Sequence, residues 1–584
     1  MILAMSAACA ASPLPAPAPA SPPSIEPLVH AQAPATATPA VDVPAAMADL
    51  ARDYLLVIAA ERPESATALG IYTEDSRLDD RTLAGEKRRV AKMRDLKARA
   101  EKLLALAELR VADRTDLQLL VGAADADILS AEFIKPLERM PSVYTQPMNA
   151  MFLMSARDYA SAQTRAEHML ARIAAIPGVV AAAHQNLKSP PKPWIKIGLD
   201  AAASAQKFFD EQRPFLIGAM PTRGKEIDVA LGAAKKAYKE YAVLLKKLER
   251  SAKPDFAVGA DVFSRLLSAQ YGLTEPLAVT KARGKQVFER TRAEMETLAR
   301  KIDPKAKEVA EVLYRLQGMH PKAGELLEAY RSETARARSF LVQKDAFEFP
   351  AGDDLAIVDT PVFMRGTIQA AYDQPPAFAN VTKGYFFVTP VDPKWSAKEK
   401  ESWLRENDHG DIVDTSVHEA YPGHHLQLSV ARTHDSMFRK VHDAAIFSEG
   451  WALYSEELMN ELGYYTPEER MLQLKWTLVR SARVLIDIGM HTENMTEAQA
   501  VDLLVKDVHL ERKLAENEVR RYTESPTQPM AYLTGREQIF ELRGKYQHNK
   551  GASYSLKAFH KEVLSHGTIP PSYIAAEMGL GGAK

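Results

Sequence analysis

Apolar residues recur at i, i+3, i+4 and i+7 through most of this 584-residue chain, a spacing that restricts it to packed amphipathic helices. The pattern is clear over 50–61, 87–109, 162–176, 228–248 and 280–302. Breaks are expected at the proline clusters 189–193 and 349–352, at Pro214 and at Lys253-Pro254. Between 354 and 393 the texture changes, and 355–361 and 384–390 predict short strands ending in prolines. Helical spacing then returns over 411–418 and onward, 444–462 closed by Gly463, 472–491, 497–522, and 558–566 closed by Gly567. The expected fold is mostly α, with a small β-sheet beside the functional centre. One domain is expected over 48–584, with a helical lobe at 48–350 and a catalytic half at 351–584.

Composition narrows the function. The 74 basic and 76 acidic residues balance to a net charge of -2 without a long basic block, which argues against a nucleic-acid partner. No run approaches the roughly 18 apolar residues of a membrane-spanning helix. Cys9 is the single cysteine, so intramolecular disulfides and multi-cysteine metal sites are excluded, and a metal must rely on His, Asp or Glu. Cys9 follows Ser6-Ala7-Ala8 and precedes an aperiodic Pro/Ala tract, so 1–47 is expected to be a signal remnant and a disordered tether. A cysteine after small residues suggests lipid attachment at Cys9, in a periplasmic or membrane-anchored bacterial lipoprotein. The stretch before it is shorter than the roughly 15 to 30 residues of a signal and lacks a basic start, so an upstream start or a plain Ala/Pro-rich leader is the other reading.

The chemistry concentrates in His418-Glu419-Ala-Tyr-Pro-Gly-His424-His425. A short zinc-hydrolase motif places two histidines four residues apart on a helix, with a glutamate after the first. Two imidazoles chelate the ion, and the glutamate takes a proton from the attacking water. Here the next histidines come six and seven residues after His418. At about 100° per residue, a step of six ends about 120° away and a step of seven about 20° away, favouring His425. Pro422-Gly423 between them breaks or bulges the helix, and that can swing His424 back. Glu449, in Ser448-Glu-Gly-Trp-Ala-Leu-Tyr454, opens a second helical segment and can supply a carboxylate. A His, His, Glu set leaves a position for water, as catalytic zinc sites do.

The stretches His418-Glu-Ala-Tyr-Pro-Gly-His-His-Leu-Gln427, Glu449-Gly-Trp-Ala-Leu-Tyr454 and Phe559-His560 with Val563-Leu564 and Gly567 resemble the bacterial "domain of unknown function 885" family, many of whose members look like lipoproteins. That family is similar to the gluzincin metallopeptidases, large helical enzymes that include the angiotensin-converting-enzyme-like and oligopeptidase groups. The resemblance implies one zinc ion held by His418, His424 and Glu449, with Glu419 as base. Two extra residues after Glu419 depart from the gluzincin pattern and leave the choice between His424 and His425 open.

Further residues are candidates for supporting roles. Arg480, Arg483, Asp487 and His491 form one helical stripe. Asp487 could orient a metal-bound histidine and the arginines could bind a substrate carboxylate; an internal salt-bridge ladder is the other reading. Related enzymes place a tyrosine or histidine from the C-terminal region over the zinc, which makes Tyr532 the candidate donor to a developing oxyanion and His560 the second candidate. By analogy, the strand at 384–388 could be an edge strand that pairs with an extended substrate. The leading function is zinc-dependent hydrolysis of a peptide or small amide. The alternatives are non-haem iron chemistry at the same ligands, and a lipid-anchored binding protein with a structural or inactive metal site.

Overall fold

The computed structural model describes residues 42–365 and 368–581. Cys9 and nearly all of the Pro/Ala tract lie outside the described residues. The first helix, Val43–Glu61, starts at the Asp42 cap, five residues before the expected boundary. Long helices follow at Leu83–Leu104, Val111–Leu129, Ala162–Asn186, Lys192–Ala219, Gly224–Glu249, Leu277–Ile302 and Leu326–Lys344. Lys192–Ala219 continues through Pro214, where a break was expected. Pro214 is exposed, so its missing hydrogen bond falls on the solvent side, while Phe208, Phe209 and Leu216 bury the opposite face. Ala162–Asn186 is long and apolar enough by composition to cross a membrane, but it packs on Gly224–Glu249, with Arg165 and Arg172 buried.

A three-stranded sheet sits among the helices: β1 (Leu355–Asp359), β2 (Ala370–Asp373) and β3 (Gly384–Val388), in the order β1-β3-β2. β1 pairs with β3 in parallel and β2 with β3 antiparallel. β3 is therefore the buried central strand, with a partner on each side, so it cannot be the substrate-pairing edge anticipated at 384–388. The edge facing the motif is β2, whose four residues carry too short an apolar pattern to stand out in the sequence.

Seven helices after the sheet frame the histidine motif and its surroundings: α1 (His409–Glu419), α2 (His424–Ala431), α3 (Ala445–Glu461), α4 (Pro467–Thr492), α5 (Arg512–Glu524), α6 (Gln528–Lys550) and α7 (Leu556–Ser565). Their ends follow local chemistry. Asp408 caps α1 by accepting from Gly410 and Asp411, Thr466 and Glu469 form a capping box on α4, and Gly463, at a φ of +81°, closes α3. The single helix expected over 497–522 is two, Glu497–Lys506 and α5, separated at His509, whose φ is +64°. All four buried apolar clusters draw residues from both sides of position 350, so the two halves share their cores.

Candidate metal centre

The helix carrying His418 stops at Glu419. A cis Tyr421–Pro422 bond follows, and α2 begins at His424. Gly423 is required at this junction, because a Cβ there would lie 1.9 Å from the His418 carbonyl oxygen and 2.4 Å from that of Val417. The indole of Trp451, on α3, donates to the Pro422 carbonyl at 2.8 Å and ties the turn to the helix that carries Glu449.

This path brings His418, His424 and Glu449 together, with one ligand atom of each within 4.8 Å of the others, so they can hold a metal ion. His418 Nε2 is 3.5 Å and His424 Nε2 is 3.4 Å from the same oxygen, Glu449 Oε2, which is buried and has no hydrogen-bond partner. The imidazoles meet edge to face at 4.8 Å. Burial works against a charged His418, yet its contacts with Glu449 and Glu456 outweigh burial and raise its pKa to about 10. Burial also opposes an ionised Glu449, and the two histidines override it, holding the carboxyl well below its usual range. The pocket thus favours positive charge, and two nitrogens with one carboxylate oxygen suit zinc.

His418 Nδ1 is 2.7 Å from Glu456 Oε1. Such a carboxylate fixes the ring and leaves Nε2 for a metal. Sequence reasoning gave this place to Asp487 and missed Glu456, although Glu449 and Glu456 are seven residues apart and share a helix face. Asp487 instead accepts from the backbone N–H groups of Thr527 and Met530, each at 3.3 Å, and caps the entry to α6.

His425 points elsewhere. It is fully buried, with Nε2 2.7 Å from Asp353 Oδ1 and Nδ1 3.1 Å from the Tyr372 hydroxyl. Asp353 also accepts from Tyr421 Oη at 2.7 Å and from Arg338. These contacts bind the motif turn to β2. The Tyr372 backbone N–H in turn donates to Glu419 Oε2 at 2.8 Å, so the edge strand holds the carboxylate next to His418.

Tyr532 reaches the centre from α6. Helices α3 and α6 cross at Gly450 and Gly535, where a Cβ on Gly535 would lie 1.7 Å from the Ile446 carbonyl oxygen. The Tyr532 ring stacks on His418 at 6.5 Å, and its hydroxyl accepts from Gln528 Nε2 at 3.3 Å. Burial, reinforced by Glu449, pushes its pKa up to about 12, so the phenol keeps its proton.

The remaining candidates separate. His560 lies in the core, stacked 4.2 Å from Phe347, with one nitrogen on Tyr454 Oη and the other on the Ala346 carbonyl. With both nitrogens committed, it cannot take the substrate role given to it by sequence. Arg483 donates to Tyr522 Oη at 2.8 Å and to Glu518 at 2.7 Å, an internal ion pair. Arg480 forms no ion pair among the described residues, and its Nε and Nη1 are buried without a hydrogen-bond partner.

The same fold occurs in solved structures. A candidate lipoprotein of unknown function from Shewanella oneidensis superposes with a TM-score of 0.76 at 24% identity, covering 92% of this chain and 100% of that one. A candidate lipoprotein from Colwellia psychrerythraea gives 0.77 at 17% identity, covering 91% and 98%. An M32 carboxypeptidase from Deinococcus radiodurans R1 is far more remote, with a TM-score of 0.42 at 13% identity over 92% and 95% of the chains. No curated protein matches the chain. The profile described as bacterial protein of unknown function, DUF885, matches residues 63–578, and the chain belongs to that family.

Proposed function

We propose that this protein is a zinc-dependent hydrolase of peptide or small amide bonds. The observation that carries the reading is the convergence of His418, His424 and Glu449 beside a glutamate held by a strand edge. His418 Nε2, His424 Nε2 and Glu449 Oε2 would hold the ion. A bound zinc supplies Lewis acidity, polarising a carbonyl and making water acidic enough to be deprotonated near neutral pH.

The rest of the chemistry belongs to side chains. Glu419, fixed by the Tyr372 N–H, takes the proton of the attacking water and returns it to the leaving nitrogen. Tyr532, protonated over the His418 ring, donates a hydrogen bond to the developing oxyanion. Glu456 keeps His418 in the tautomer that presents Nε2. The edge of β2 not paired with β3 offers its remaining backbone groups to an extended substrate.

Metal analysis of the purified chain with an amide-cleavage screen tests the reading. Stoichiometric zinc with turnover supports it. Iron with oxygen-dependent activity, or zinc without turnover on any amide, refutes it and favours the oxygenase or binding-protein alternative. A lipid anchor at Cys9 is the accompanying proposal, supported by the small residues before it and by the two structural neighbours assigned as candidate lipoproteins. Expressed behind a bacterial lipoprotein signal, the protein should fractionate with membranes and Cys9→Ser should release it; equal solubility of both forms would rule the anchor out.

A further inference from the structure

Tyr532 adjoins both the metal centre and three arginines. Its ring faces His418 on one side, while the guanidinium carbons of Arg483 and Arg480, both from α4, lie 4.8 Å and 5.9 Å from its centroid. The third arginine, Arg521 of α5, donates through Nη1 to Gln528 Oε1 at 3.1 Å, and Gln528 donates to the Tyr532 hydroxyl.

Among the three arginines and Glu518 the charges do not balance. Arg483 and Arg521 share one carboxylate: Glu518 Oε2 accepts from Arg483 at 2.7 Å, from Arg521 at 3.0 Å and from the Tyr522 hydroxyl at 2.6 Å. Burial opposes an ionised Glu518, but Arg521 and Arg483 outweigh it and keep the group anionic. One anion therefore serves two cations, and its oxygen is saturated with donors. Arg480 adds a third cation. Its flat face rests 4.7 Å from the Trp476 ring. Asp411 and Asp414 attract it from α1 without forming an ion pair with it; Asp411 Oδ1 accepts from Trp476 Nε1 at 2.6 Å and its Oδ2 lies 3.8 Å from Lys475 Nζ. Burying guanidinium donors without an acceptor is unfavourable, and the fold keeps two such donors beside the proposed reaction centre.

We infer that Arg480, supported by Arg521, anchors a free carboxylate of the substrate, so that the cleft takes peptides or acylated amino acids cut close to their carboxyl end. A guanidinium with open N–H donors suits a carboxylate, which accepts through its oxygens. Arg521 keeps 31% of its side-chain surface accessible and can approach the same anion. The steps of 5.9 Å and 6.5 Å from Arg480 through Tyr532 to His418 limit the distance from carboxylate to cleaved bond. At about 3.5 Å per extended residue, at most about three residues separate them. The inference rests on the hydrolase reading for what is cleaved, and on the arginines alone for what is bound.

The test is calorimetric titration of the zinc-loaded full chain with N-acetyl-L-phenylalanine and with its amide, alongside KM and kcat for N-blocked tripeptides as free acids and as amides. The free acid should bind tighter by about tenfold or more, the worth of charge-assisted hydrogen bonds. Arg480→Gln should bring acid and amide together and raise KM for the free acids more than it lowers kcat, with zinc content retained. Arg480→Lys should restore part of the preference. Equal binding of acid and amide by the wild type overturns the anchor, and so does a preference that survives in Arg480→Gln, since the acid would then be held by the metal. Should Arg480→Gln fail to fold, Arg521→Gln provides the second variant and should weaken the acid without affecting the amide; an unchanged preference there overturns the anchor as well. Binding is read without turnover. A preference for the acid in a protein that cleaves nothing supports the anchor and refutes only the hydrolase reading.

Discussion

Removing the carboxylate behind His418 tests how the metal centre is built. Glu456 is completely buried, its Oε1 lies 2.7 Å from His418 Nδ1, and its Oε2 faces Gln473 Nε2 at 3.4 Å, which also donates to Thr477. Glu456→Gln preserves an acceptor for Nδ1–H but removes the charge that makes Nε2 a strong donor to a metal. Glu456→Ala removes both. Substitutions at such positions weaken metal binding by about 10- to 100-fold. The expected losses are about 1.4 kcal/mol for Gln and about 2.8 kcal/mol for Ala. Competition with a chromophoric chelator near neutral pH measures them, with circular dichroism to confirm folding. Asp487→Asn is the control, because Asp487 bonds the start of α6 rather than His418; it should lower Tm and leave zinc affinity unchanged. A folded Glu456→Ala with wild-type zinc affinity, or Asp487→Asn weakening zinc more than Glu456→Gln does, would refute the assignment.

Three other outcomes are expected. Glu419→Gln should retain stoichiometric zinc while kcat falls by about 10² to 10⁴, the usual contribution of a general base; full activity would eliminate it from that role. His424→Ala should lose zinc, whereas His425→Ala should keep it and lose about 1–3 kcal/mol of stability by leaving Asp353 and Tyr372 short of a partner. Metal analysis and denaturant melts distinguish these variants, and zinc loss in His425→Ala alone would reverse the choice of ligand. Burial raises the pKa of Glu577, but His566 and Arg439 outweigh it and hold it at about 2, against an ordinary 4.5. A depressed folded pKa gives stability present above about pH 4.5 and lost as pH falls toward about 2, here on the order of 2 kcal/mol after a discount for solvent screening. Glu577→Gln should therefore melt below the wild type at neutral pH and converge with it near pH 2; a gap that does not change with pH would refute the linkage.

The helices, the two strands at 355–359 and 384–388, and the histidine motif were legible because each depends on local spacing. Ideal-helix arithmetic from His418 favours His425, but it assumes an unbroken helix. The chain ends one helix at Glu419 and starts another at His424, so the angular count does not carry across the turn. The clue was Pro422-Gly423, and Gly423 is the residue whose missing Cβ lets the turn pack against the His418 carbonyl. Glu456 was legible too, since a step of seven keeps it within about 20° of Glu449 on the helix.

The stripe on α4 shows where periodicity stops informing. Arg480, Arg483, Asp487 and His491 do share a face, as their spacing requires, but spacing says nothing of what lies opposite. At 1.5 Å per residue, Asp487 is about 10 Å farther along the axis than Arg480. That distance takes the stripe from Tyr532 at one end to the start of α6 and a core imidazole packed on Phe256 and Phe263 at the other. Residues of one stripe thus meet different neighbours: Arg483 and Glu518 close an ion pair, Asp487 caps a helix, and Arg480 is left with open donors. The acid that neutralises Arg483 comes from α5, which the sequence merged with the preceding helix. The charge imbalance around Tyr532 therefore arises from three helices meeting, and no single stretch of sequence contains it.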